Sequence, residues 1–439
     1  MKILIISPYI PYPLDSGGNQ AVFAMIDYLR KKQDITLISF VTRETAHNLD
    51  ELQKLWDDVK FRPYYLTKVE PTVQYLKEHY GGEPDTLAYR WLNKAEQSIL
   101  RKKRRRYKPA DDMRAKSCIN YYLGNISAPF MQFIHDEVHK GHYDIVQAEF
   151  YDLLPVVYLL PPKQISVFVH HELRFVRNRN EIDLFDNRNC IDELLYEMEK
   201  STELGALERY SHIITLSETD ENILRKELRN THIHTSPAVT FTSSDNKITF
   251  SPTHKDLVFV GSGNHYPNDD AMKWFCAEIA PILQRAGTSF TLHIVGQWSD
   301  SLQEQLKERL PEVRFTGFVD DLTRFLNGKI MIVPLRIGSG IRMKIMDAVK
   351  SKSPFITTTK GVEGLDFCDQ KECLIADNAT DFAAAITQLL NNPTMQENLQ
   401  NQATEKLSAL YNTQTIYERR NHLYEQFLQE SQNKNTPKA

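Results

Sequence analysis

The apolar residues of this chain fall into short continuous runs separated by stretches of helical spacing. Ile3 to Ile6 form the first run, a buried strand, and the loop SPYIPYPLDSGGNQ follows it. AVFAMIDYLRKK then has helical spacing, and Ile35 to Val41 make a second strand. Strand, loop, helix and strand in that order predict a parallel, doubly wound sheet. Further strands are predicted at 144–150, 165–172 and 212–217, with a long acidic helix around 190–209. From 50 to 140 the pattern is weaker, with a polar helical region expected from Lys94 to Arg114.

Periodicity disappears between roughly Thr240 and His254, which predicts a linker. A second alternating series starts at once, with strands at 256–262, 291–297, 313–318, 329–335, 354–358 and 372–377. Helices are predicted between them at DAMKWFCAEIAPILQ and SLQEQLKERL, and again from Ala383 to Phe427. The expected organisation is one Rossmann-like domain over 1–240 and a second over 241–410. A C-terminal helix within 411–439 is expected to pack back on the first domain before a frayed tail. Two such α/β units set the C-terminal ends of both sheets on a shared cleft, where ligands usually bind.

A chain of 439 residues exceeds what one core holds, in keeping with two domains. Its net charge of -4 argues against a dedicated nucleic-acid binder. The five cysteines form no CxxC pair, which suits a reducing compartment. No stretch supports a membrane-spanning helix. The apolar run after Lys2 is shorter than the roughly 7–15 residues a signal segment needs, so a cytoplasmic location is expected. The run RKKRRR, Arg101 to Arg106, reads either as a solvated helix face or as an anchor for an anionic membrane or lipid-linked diphosphate acceptor. Aromatic residues do not interleave it, so nucleic acid is not expected as a partner.

The chemistry concentrates at RIGSGIRMKIMDAV. Gly338, Ser339 and Gly340 follow a strand and precede a helix expected to start near Ile341. Glycines there permit positive φ and close approach of a ligand to backbone N–H groups. A helix start carries partial positive charge, yet Arg342 and Lys344 crowd it, which points to an external anion. A planar guanidinium beside a mobile ammonium suits a diphosphate. Asp347, three residues past Lys344, is placed to accept from ribose hydroxyls. The plain alternative is a glycine turn with a surface Lys344–Asp347 pair.

Other junctions fall on the same side. Gly17 and Gly18 read as a turn between the first strand and first helix, and Gly261 and Ser262 take the equivalent place in the second domain. Thr359, Gly361 and Glu363 follow a later strand end. His170, His171 and Glu172 close the strand at 165–172, where a general base or sugar-binding group would sit, and Glu149 belongs to the same rim. No HExxH or Cys/His spacing accompanies them, so no metal is assigned.

FVGSGNHYPNDDAMKWFCAEIAPIL, LHIVG, VRFTGFVDDL, VPLRIGSGIRMKIMDAV and KGVEGLDF, in that order, resemble the family 4 glycosyltransferases of the GT-B fold. SPYIPYPLDSGGNQ and LERYSHIITLSETD agree more loosely. The resemblance implies an α/β GT-B chain and a retaining, metal-independent transferase. Its donor would be a nucleotide-diphosphate sugar, with no bound cofactor, and its acceptor a glycan or lipid-linked hydroxyl in cell-surface polysaccharide assembly. The family carries two glutamates separated by seven residues; here Asp347 stands at the second and Ser339 at the first. The GSGNHYPN loop lacks the family's cations, so Arg342 and Lys344 are expected to take over that charge, the pattern of one branch of the family. The family's strand-end histidine maps onto His170 or His171. Two other readings stay open: a sugar-nucleotide epimerase of the same fold, and a non-catalytic nucleotide-sugar-binding protein.

Overall fold

In the computed structural model of the chain, residues 1–65, 127–184, 188–229, 232–238, 249–252 and 255–435 are described. The basic run Arg101 to Arg106 and most of the expected linker, including the 240/241 boundary, lie outside them.

Seven strands build the first sheet: β1 (Lys2–Ser7), β2 (Asp34–Val41), β3 (Lys60–Tyr65), β4 (Ile145–Glu149), β5 (Ile165–His170), β6 (His212–Thr215) and β7 (His232–Thr235). Their order is β3-β2-β1-β4-β5-β6-β7, and every pairing is parallel. The second sheet holds β8 (Asp256–Val260), β9 (Thr291–Val295), β10 (Val313–Gly317), β11 (Ile330–Val333), β12 (Phe355–Thr357) and β13 (Leu374–Ile375). It runs β10-β9-β8-β11-β12-β13, again all parallel. Two doubly wound sheets joined through a cleft make the GT-B architecture. Parallel strands are covered on both faces, which is why the central ones read as unbroken apolar runs. Ile3, Leu4, Ile5 and Ile6 are all fully buried.

The order of strands reverses between β1 and β4, and between β8 and β11. Loops at such switch points diverge and leave a crevice beyond the strand ends. Both crevices open onto the same interdomain space.

β3 and β7 have no counterpart among the sequence-predicted strands. Each is the edge of its sheet and carries few buried apolar residues: KFRPYY is half-exposed throughout, and HIHT buries Ile233 alone. Pro63 is tolerated because an edge strand need not donate on its outer side.

The last helix, Thr413–Asn435, lies on the first domain after helix Pro393–Leu410 has packed against the second. Phe427 stacks on His212 of β6 with ring centroids 3.6 Å apart, and Tyr424 Oη donates to Gln147 of β4. Among the described residues, no helix is long and apolar enough to cross a membrane.

Candidate active site

The loop after β11 packs across the cleft. Gly338 has φ 132 and Gly340 φ 74, conformations that L side chains rarely adopt. A Cβ on Gly340 would collide with the carbonyl oxygen of His171 in the first domain. Beside it, Ser339 is 3% exposed and its Oγ donates to the Leu173 carbonyl at 3.2 Å. The helix begins at Met343, two residues later than the spacing predicts, with Arg342 as its N-cap. The Arg342 guanidinium folds back on the loop. It donates to the carbonyls of Ser339, Gly340 (2.7 Å) and Lys360 (3.4 Å). Burial lowers its pKa, while Glu172, Glu363 and Asp220 pull it back up.

Lys344 points into the second-domain crevice. Its Nζ lies 4.2 Å from the Phe259 ring centroid and donates to Asn268 Oδ1 at 2.7 Å. Burial, then repulsion from Arg342, bring its pKa down to about 7, against a smaller opposing pull from Asp347. Asp347 is itself raised by burial, while Lys350, a hydrogen bond from Gln20 and Lys344 act in the other direction.

Gly17 and Gly18 do not form the expected turn. They are the first residues of helix Gly17–Leu29, capped by Ser16, whose side chain accepts from Asn19 N. Their smallness serves packing: a Cβ on Gly17 would lie 2.8 Å from the Met343 side chain, and one on Gly18 3.1 Å from Phe150. Helix Gly17–Leu29 therefore meets helix Met343–Lys350 start to start. Helix starts carry partial positive charge, so their junction favours an anion.

The two histidines separate cleanly. His170 is buried in the core with Nε2 2.8 Å from Glu203. Glu203 also accepts the backbone N–H groups of Arg174 and Phe175, so this pair anchors the start of the cleft-wall helix Arg174–Asp183. His171 turns the other way, with Nε2 2.6 Å from Glu149 and its ring stacked 3.9 Å from Phe150. Glu149 also accepts from Gln147. Glu172 pairs with Arg177 at 3.1 Å. Burial raises its pKa, but Arg177, Arg174, His265 and Arg342 together hold it at about 2.

Thr359 is tied down through its N–H and Oγ1 to Asp377, both at 2.7 Å, and Gly361 N donates to Thr358 Oγ1 at 2.8 Å. Glu363 pairs with Lys360 at 2.9 Å. Gly261 (φ 155) and Ser262 form the loop after β8, where Ser262 Oγ donates to the Gln297 carbonyl. Beside this loop, at the ends of β9 and β10, a groove of about 580 Å3 is lined by Asn264, Gly296, Gln297, Trp298, Phe315 and Thr316. Among the described residues, no group of three or more His, Cys, Asp or Glu side chains is arranged to hold a metal ion.

Sequence reasoning missed Asn268, Arg174, Arg177 and His265. The signal for Asn268 was in YPN: a proline starts a helix, and the polar residue beside it sits on the first turn, facing the loop.

Residues 254–392 match the family model described as Glycosyl transferases group 1. No curated protein matches the sequence. Among solved structures, sucrose-phosphate synthase from Thermosynechococcus elongatus aligns at TM-score 0.66 and 14% identity, covering 98% of this chain and 99% of that one. A point mutant of TarM from S. aureus, in complex with fondaparinux, alpha-GlcNAc-glycerol and UDP, aligns at TM-score 0.63 and 12% identity, covering 96% and 99%. HepE from Anabaena, with UDP and glucose, aligns at 0.62 and 10%, covering 97% and 100%. The class that the fold and the matched domain define is that of a glycosyltransferase with GT-B architecture.

Proposed function

We propose that the chain transfers a glycosyl group from a nucleotide-diphosphate sugar to an acceptor hydroxyl, with retention of configuration, in the assembly of a cell-surface glycan. The observation that carries this reading is the meeting of two helix starts, at Gly17 and Met343, with Lys344 beside them. In this reading the diphosphate rests against the junction of those helix ends beside Lys344, Asp347 takes the ribose hydroxyls, and the nucleoside extends along the 580 Å3 groove. The similar structures that hold UDP support a nucleotide donor. Retention, and the glycan setting, rest on the resemblance of the GSGIRMK segment to family 4 enzymes.

As the glycosidic bond breaks, charge accumulates on the leaving diphosphate. Preorganised donors in an enclosed site stabilise that charge most where they need not reorganise. The helix N-termini and Lys344 are such donors, and Arg342 stiffens the loop beneath them. In this scheme the protein's own cations meet the leaving group and no metal has an assigned role. Closure at Ser339 and Gly340 excludes water that would hydrolyse the donor. His171, oriented by Glu149, stands on the acceptor side.

Incubation with UDP-, GDP- and ADP-sugars and a glycan acceptor tests the reading. Release of nucleoside diphosphate only with acceptor supports transfer, and NMR of the new anomeric centre reports retention. Isomerised donor would make the chain an epimerase, and binding without turnover a non-catalytic protein. Lys344→Ala is expected to lower transfer at least about 10²-fold with the fold intact; full activity in that variant would end the assignment.

A further inference from the structure

We propose that Asn268 is a positioning residue for Lys344, a two-ended clamp that fixes the ammonium to the loop after β8 and aims its remaining protons into the cleft. The inference rests on the reading of Lys344 as a diphosphate cation.

Both ends of the Asn268 amide are used. Oδ1 accepts from Lys344 Nζ at 2.7 Å, and Nδ2 donates to the Ser262 carbonyl at 2.9 Å. The orientation is dictated chemically, because an ammonium only donates and a carbonyl only accepts. A flipped amide would face N–H against N–H and oxygen against oxygen. The residue is 7% exposed, and the loop is moulded to it: a Cβ on Gly261, at φ 155, would stand 2.6 Å from Asn268 Nδ2. The Phe259 ring closes a further side of the ammonium at 4.2 Å. Asn268 and Phe259 thus hold Nζ on two sides, and in the proposed site its remaining protons serve the diphosphate.

A lysine has four rotatable bonds and loses much of its entropy when a bound anion orders it. The clamp orders it beforehand, so that less of the donor's binding energy goes into positioning the cation. It also explains how the GSGNHYPN loop, which has no cation of its own, contributes to the anion site: it holds one that comes from the helix after β11.

The charged groups facing Lys344 are Arg342 and Asp347 from its own segment and His265 from the loop before Asn268. Replacing Asn268 by Ala alters none of these, so a change at 268 reports on the clamp. The experiment measures affinity for UDP, GDP and ADP by calorimetry from pH 6 to 9 in the wild type, Lys344→Met, Asn268→Ala and Asn268→Asp, with melting temperatures recorded for each. In Asn268→Ala, affinity for the nucleotide the wild type prefers falls roughly tenfold, the fold-change expected of a hydrogen bond to a charged group. The alkaline limb of binding moves to lower pH, because the cation has lost an acceptor. In Asn268→Asp, the carboxylate holds the proton on Lys344 and the limb moves up by at least about one pH unit. A residue that merely supported the loop would lower the melting temperature and leave the limb where it is. If Asn268→Ala does not fold, Asn268→Leu, which removes both hydrogen bonds at similar volume without adding charge, replaces it. Unchanged affinity and limb in the Asn268 variants, with Lys344→Met impaired, overturn the clamp and leave the site reading intact. Wild-type affinity in Lys344→Met, or no binding of any of the three nucleotides by the wild type, overturns both.

Discussion

Replacing Lys344 by Met should stabilise the protein at neutral pH while abolishing most of its activity. In the unfolded chain this lysine titrates at its ordinary 10.5, but burial and Arg342 lower it to about 7 in the fold. Between those values the unfolded chain carries more protons than the folded one, so wild-type stability rises with pH across that window. At pH 7 the displacement corresponds to a penalty of about 4 kcal/mol, falling to about 2 kcal/mol at pH 9. Methionine keeps the apolar contact with Phe259 and carries no charge. It loses the hydrogen bond to Asn268 and the contact of charge with ring, together worth about 2–3 kcal/mol. The net expectation is a gain of about 1–2 kcal/mol at pH 7, a few degrees in Tm, vanishing towards pH 9. Thermal unfolding of both proteins at pH 6, 7, 8 and 9 measures the difference, and a transfer assay on the same samples measures the loss of turnover. The two effects have opposite sign because a buried cation that costs stability on its own becomes useful when an anion arrives. A constant destabilisation at every pH would refute the reasoning, since it would mean that burial of the charge costs the folded protein nothing.

The same displacement predicts proton uptake: at pH 8 the free enzyme holds Lys344 largely neutral, and a bound diphosphate restores its charge. Calorimetry in buffers of different ionisation enthalpy should find close to one proton taken up per nucleoside diphosphate at pH 8, shrinking towards pH 6, and Lys344→Met should take up none. Gly340→Ala forces a side chain onto the His171 carbonyl at φ 74 and should push the domains apart. Transfer is expected to fall by more than about tenfold, with a larger radius of gyration by small-angle scattering and little change in circular dichroism. Phe427→Ala removes a ring stacked on His212 in the first domain, and should cost about 3–5 kcal/mol in denaturant unfolding.

Central strands of both sheets were legible because a parallel strand buried on two faces must be apolar throughout, and the doubly wound order then placed the loops that matter. The edges of the first sheet were not, since KFRPYY and HIHT bury too little to stand out. At the site the charges were legible and their geometry was not. Arg342 and Lys344 read together as a diphosphate pair, yet one is spent on three loop carbonyls and the other donates to Asn268. His170 ends β5 and His171 follows it outside the strand, so the expected strand 165–172 overran by two residues and only the packing decides which histidine enters the core. The glycines at 17 and 18 looked like a turn because glycine usually signals one; here Gly17 makes room for Met343 and Gly18 for Phe150.

Ser339 shows most clearly how composition and geometry constrain each other. Position 339 is buried against first-domain backbone, donating to the Leu173 carbonyl while the neighbouring Gly340 rests on the carbonyl of His171. A serine hydroxyl supplies the proton this contact needs. An ionised glutamate only accepts, so the same place would set a carboxylate against carbonyl oxygens with no donor between them. The departure from the first glutamate of the family 4 enzymes that this segment resembles is therefore coherent with a loop that closes on the other domain: here the side chain serves closure, and under the proposed function contact with the sugar would fall to the backbone N–H groups of the glycine loop. Grafting the glutamate back, as Ser339→Glu, should consequently weaken nucleotide binding by at least about tenfold through loss of closure. A variant that bound donor more tightly would show that the serine is a loss the fold has tolerated, not a requirement of its closed form.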